Sequence, residues 1–104
     1  MKTLVSIPHH EYPMHVRDTV EAKLQELLKY YERIVSLRAV LERQGETHRV
    51  ELVATLGHHA TLVVDARGDV LHNVLETALE RMKGVLKRHK TRLEGKRRRA
   101  RTTR

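Results

Sequence analysis

The chain reads as an α+β protein, a two-layer βαβββα sandwich in which a four-stranded sheet carries two helices packed on one face. Three patterns carry this reading. Apolar residues recur at helical spacing in two stretches, the period falls to two over three consecutive runs between them, and a short β-branched run comes before the first helix. Two amphipathic helices and a sheet with one greasy face cover each other most simply as two layers.

Thr3 to Ile7 is a short β-branched run closed by Pro8 and reads as the first strand. Pro13 suits the first turn of a helix, where a missing amide costs nothing, and Val16, Val20, Leu24, Leu27, Leu28 and Tyr31 then form an apolar stripe. In the next run Val35, Leu37, Ala39 and Leu41 alternate with Ser36, Arg38, Val40 and Glu42. A turn at Arg43 to Glu46 leads to a strand with Val50, Leu52, Ala54 and Leu56 inward; Gly57-His58 turns the chain again, and Ala60, Leu62, Val64 and Ala66 line the last strand. Asp69 is a suitable N-cap for a long second helix, whose stripe is Leu71, Val74, Leu75, Ala78, Met82, Val85, Leu86, His89 and Leu93.

With 104 residues there is room for one domain, expected over residues 1–94, followed by a basic disordered tail over 95–104. Apolar residues make up 39% and the only aromatics are Tyr12, Tyr30 and Tyr31, so the core must be aliphatic. Zero cysteines excludes disulfides, thiolate chemistry and Cys-ligated zinc, and fits a reducing compartment. The opening apolar run breaks at Pro8 and meets His9, His10 and Glu11, which does not suit a secretory signal. No apolar run approaches the roughly 20 residues of a membrane span.

The charge is segregated. Arg81 to Arg104 holds twelve Lys or Arg against Glu94 alone, a balance of +11, whereas the first eighty residues stand at −3. On the second helix Arg81, Arg88 and Arg92 line one flank of the apolar stripe while Lys83, Lys87 and Lys90 line the other. A helix anchored by its apolar face and cationic on both flanks suits a polyphosphate partner, with counterion release making affinity fall steeply with salt. The expected RNA-contact residues are Lys83, Lys87, Arg88, Lys90 and Arg92, with Lys23, Lys29 and Arg33 from the first helix secondary and Lys96, Arg97, Arg98 and Arg99 of the tail adding reach.

Chemistry of other kinds finds little support. His9, His10, His15, His58 and His59 lack the spacing of a metal site, and neighbours such as His58 and His59 would point to opposite faces of a strand. There is no Gly-rich phosphate loop, no HExxH and no GxSxG, so neither catalysis nor a cofactor is expected. The outer sheet face lacks the aromatics on which single-stranded bases would stack, which favours recognition of folded RNA by shape and phosphate. Tyr30 and Tyr31 are assigned to stapling the first helix to the sheet, and His89 to semi-buried packing.

Three passages resemble the ribosome hibernation-promoting factors and the related ribosome-associated inhibitor A. They are Arg17-Asp18-Thr19-Val20 with Lys23-Leu24 and Lys29-Tyr30-Tyr31-Glu32-Arg33-Ile34; His48-Arg49-Val50-Glu51 with Gly57-His58; and Lys87-Arg88-His89-Lys90 with Leu93. The resemblance spans about residues 3 to 94. It implies a cytoplasmic, ribosome-associated protein that binds small-subunit RNA in the channel for messenger and transfer RNA and silences idle ribosomes sterically. It also implies no small-molecule substrate, no membrane partner and a monomer away from the ribosome. Two features depart from the family. Its second helix usually opens with an Asp-Met-Tyr-Ala-Ala-Ile-Asp-like run where this chain has Asp69-Val70-Leu71-His72-Asn73-Val74-Leu75-Glu76, and the C-terminal domain through which longer members pair ribosomes is not in this sequence.

Other readings remain beside this one. A βββα segment is also the build of double-stranded-RNA-binding domains, so a general structured-RNA binder or assembly chaperone is one alternative. A transcription-regulating protein-interaction module is another.

Overall fold

In the computed structural model, backbone is described for residues 2–7, 12–57 and 60–102, and side chains for 3–7, 12–57 and 60–90. The elements run β1 (Lys2–Ser6), α1 (Met14–Tyr30), β2 (Ile34–Gln44), β3 (Thr47–Leu56), β4 (Thr61–Gly68) and α2 (Leu71–Thr102). The sheet order is β1-β2-β3-β4, with β1 parallel to β2 and the other neighbours antiparallel. A parallel pair needs a crossover, and α1 supplies it.

Alternation sorts the side chains as the period of two predicts. Leu37, Ala39 and Leu41 of β2 and Val50, Leu52, Ala54 and Leu56 of β3 are each 3% exposed or less, and they join Val64 and Ala66 of β4 in one cluster with the buried residues of both helices. The opposite face carries cross-strand rows such as Leu4, Arg38, Val53 and Val63. Both helices therefore lie on one side, giving the two-layer α+β sandwich.

Val35 is where β2 departs from the simple pattern. Strict alternation puts it inward, yet it is 53% exposed and Ile34 is buried in its place. Ile34 pairs with Leu56 and Ser36 with Thr55, so β2 carries one extra residue there. This β-bulge lets Ile34 and Leu37 share the core face although they are three positions apart. The β2–β3 hairpin closes through Gly45 and Glu46, and Gly45 adopts φ +60, a conformation that disfavours any residue with a Cβ.

Both helix starts also differ from the expectation. Pro13 takes the N-cap position of α1, its carbonyl accepting the Val16 N–H at 3.0 Å. In α2 the Val70 carbonyl accepts the first bond, from the Val74 N–H at 3.0 Å, so Val70 and not Asp69 stands at the cap. Segment 95–102, expected as part of a disordered tail, continues α2 as helical backbone through Thr102. A 32-residue helix is about 48 Å long. A ten-residue strand spans only about 34 Å.

Strand directions fix how the helices lie. Strands β1, β2 and β4 share one direction, and each helix returns against it, so α1 and α2 run the same way and end at the same end of the molecule. The turn into α2 is tight. A Cβ built on Gly68 would meet Val74 Cγ2 at 3.0 Å, and Val74 is itself 3% exposed, held by the core and stiff at its branched Cβ. Gly68→Ala therefore overpacks this corner, and chemical denaturation should show a loss of about 1 kcal/mol or more. A variant as stable as the parent would mean that the corner relaxes freely.

Candidate nucleic-acid interface

The apolar stripe of α2 sets the rotation of that helix. Val74, Leu75, Ala78, Leu79, Met82 and Leu86 are buried, Leu71 and Val85 pack partly against them, and His89 is half-buried as expected. With this stripe facing the sheet, one flank of α2 borders α1 and the other borders the open edge of β4.

The flank toward α1 is electrically compensated at Lys23 and Lys83. Lys23 Nζ lies 3.4 Å from Glu76 Oε1 across the two helices, and Lys83 Nζ lies 3.9 Å from Glu80 Oε1. Glu26, Leu27 and Leu79 complete the wall of the groove between the helices. The Lys83 ammonium also stands 6.0 Å from the centre of the Tyr30 ring, at the outer limit of a cation–π contact. Tyr30 and Tyr31 therefore do not share one duty. Tyr31 is 6% exposed and belongs to the core, whereas Tyr30 is 53% exposed and only borders the groove.

The β4 flank is different. Arg81 Nη1 donates to the backbone carbonyl of Asp65, a bond that leaves the guanidinium charge without a carboxylate. Arg88 stands one further turn pair along the same flank, and among the described residues it makes no hydrogen bond or ion pair. Between them, Gly84 and Val85 face Val64 of β4 across a shallow groove. Lys29 and Arg33 are exposed at and just past the end of α1, and Lys87, Arg88 and Lys90 are exposed on α2. The described cations expected from the sequence are thus spread over both flanks toward the shared C-terminal end of the helices. The side chains of Arg92, Lys96, Arg97, Arg98 and Arg99 lie outside the described residues, as do His9, His10, His58 and His59.

The outer sheet face is balanced within itself. Arg49 reaches three carboxylates, Glu51 at 3.0 Å and Glu42 and Asp65 at 3.5 Å. Arg17 is likewise spent on structure, its Nη1 donating to the Val5 carbonyl at 2.6 Å. These roles have no local signature, because each depends on a partner brought close by strand register or helix packing. Among the described residues no three His, Cys, Asp or Glu side chains converge as a metal site, and no helix is long and apolar enough to cross a membrane.

Comparison with known proteins completes the picture. No curated protein sequence matches the chain. A ribosomal subunit interface protein from Coxiella burnetii superposes with a TM-score of 0.75 over 88% of this chain and 99% of its own, at 14% identity, which is a likeness of fold. The Protein Y N-terminal domain of Thermus thermophilus superposes with a TM-score of 0.69 over 84% of this chain and 94% of its own, at 25% identity. The family model described as Sigma 54 modulation protein / S30EA ribosomal protein matches residues 5–94. The chain therefore belongs to that family, the ribosome-associated, non-catalytic proteins of the hibernation-factor type that its sequence resembles.

Proposed function

We propose that this protein is a translation silencer that binds small-subunit ribosomal RNA in the channel used by messenger and transfer RNA and blocks that channel by occupying it. The observation that carries this reading is the coincidence of family membership over residues 5–94 with a rigidly mounted helix whose cations are exposed toward its C-terminal half. The Coxiella burnetii relative is a ribosomal subunit interface protein, which suits the same location. In this reading Lys83, Lys87, Arg88, Lys90 and Arg92 meet phosphates, Lys23, Lys29 and Arg33 add contacts from α1, and Lys96, Arg97, Arg98 and Arg99 extend the reach. No bond is made or broken, and no cofactor is needed. Occupancy alone excludes the other ligands, and away from the ribosome the protein is monomeric in the cytoplasm.

Co-sedimentation with separated subunits tests this directly. Near one-to-one pelleting with the small subunit, surviving an excess of plain RNA duplex, is the expected result. Equal binding to both subunits, stripped by the duplex, would leave a general structured-RNA binder and remove the claim of a channel site.

The ion pairs on α2 also predict an order among the lysines. Lys90→Ala should weaken small-subunit binding and lower the slope of log K against log salt by about 1, the release associated with one phosphate contact. Lys23→Ala should have a smaller effect on both, because Lys23 must leave Glu76 before it can meet a phosphate. Binding titrations at several salt concentrations check this, and equal losses for the two variants would contradict the ordering.

A further inference from the structure

Gly84 is not explained by the fold. It sits inside α2, where glycine is less favourable than alanine because it has more backbone freedom to lose. A Cβ built there would meet only Arg88 Nη1, at 3.6 Å, an ordinary contact with the far end of a flexible side chain. No helix, strand or core residue needs the space. The space that a side chain would take there is left open to something outside the molecule.

What surrounds Gly84 indicates what that is. Arg81 and Arg88 are its neighbours three residues before and four after, on the same helix flank. Together with Val85 and Val64 they wall the groove between α2 and the open edge of β4. Two carboxylates, Asp65 and Glu80, also border this groove, and each approaches a cation other than Arg81 and Arg88; Asp65 shares its cation with Glu42 and Glu51. Asp65 Oδ2 lies 3.5 Å from Arg49 Nε on the outer sheet face, and Glu80 Oε1 lies 3.9 Å from Lys83 Nζ on the opposite flank. Among the described residues neither guanidinium has a carboxylate within ion-pair distance, and a planar guanidinium fork matches a phosphate with two parallel hydrogen bonds. On the other flank Lys23 and Lys83 already face Glu76 and Glu80.

Building on the RNA-binding reading, we propose that the Gly84 notch, between Arg81 and Arg88 on the β4 side of α2, is where the phosphodiester backbone of small-subunit RNA approaches this protein most closely. The glycine lets the sugar-phosphate chain lie against the helix backbone while the two arginines hold phosphates on either side. This makes the β4 edge, and not the groove between the helices, the primary docking edge.

The test compares the full chain with Gly84→Gln and Thr77→Gln for affinity to isolated small subunits at one low salt concentration, with thermal melts of each. Thr77 is exposed on the same flank two turns earlier, its hydroxyl bonded only to the Asn73 carbonyl, so Thr77→Gln adds bulk where no RNA is expected. Gly84→Gln should raise Tm by a few degrees through better helix propensity while weakening binding about tenfold or more. Thr77→Gln should bind within about twofold of the parent. A more stable protein that binds less well separates loss of approach from loss of structure. The assignment of the docking edge is overturned if Gly84→Gln binds within about twofold of the parent, or if Thr77→Gln loses as much. Failure of the parent chain to bind small subunits at all would instead overturn the ribosome reading and this inference with it.

Discussion

Burial of the α2 stripe against β3 and β4 is the contact on which the rest depends. Met82 and Leu86 are fully buried, Ala78 with them, and their combined burial fixes the rotation of the helix about its axis. A single large apolar side chain taken from water is worth about 1.5–3 kcal/mol. An exposed ion pair is worth at most about 1 kcal/mol. The apolar stripe therefore decides where the helix lies, and the charges take the positions left to them. That hierarchy lets cations be exposed without cost to the fold.

It also explains why the architecture could be read from the residues and the interface only in part. Period two in β3 and β4 and period 3.6 in α1 and α2 are set by one-dimensional spacing, and the sandwich follows once both helices must cover one face. Val35 escaped that logic because a bulge is a property of two strands in register. Val35 is as apolar as Ile34 beside it, and nothing in its own run marks it as the extra residue. Tyr30 and Tyr31 are adjacent and alike, and the end of α1 falls between them, so one turns into the core and the other out. The pairing of Lys23 with Glu76 was equally invisible, since it joins residues of two helices whose common direction follows from strand order.

The sorting of charges follows from the same geometry. The spacing of Arg81 and Arg88 and of Lys83, Lys87 and Lys90 showed two cationic flanks, and as a count they look equivalent. Packing makes them unequal, because α1 contributes Glu26 to the groove beside Lys83 while the β4 edge offers Arg81 a backbone carbonyl. A carbonyl dipole orients a guanidinium without neutralising it. Asp65, the acid closest in sequence to that contact, turns its carboxylate to Arg49 on the far face of the sheet. Alternation along β4 thus gives side chain and backbone of Asp65 different partners, the carboxylate meeting Arg49 and the carbonyl meeting Arg81.

A cationic surface gains from being built this way on a helix. Cations on a flexible chain must each lose conformational freedom on binding, whereas cations on a packed helix have already lost the backbone part of it during folding. Helical backbone continuing to Thr102 carries that rise of about 1.5 Å per residue past the end of the sheet. The basic run then belongs to the same rod as the anchored flanks, and the spacing of its Cα positions is set by folding before any partner arrives. The role proposed above, occupying a channel and excluding other ligands, needs no moving part. What it needs is a fixed shape with charge on its surface, and the burial of an aliphatic stripe beneath a row of arginines and lysines supplies both.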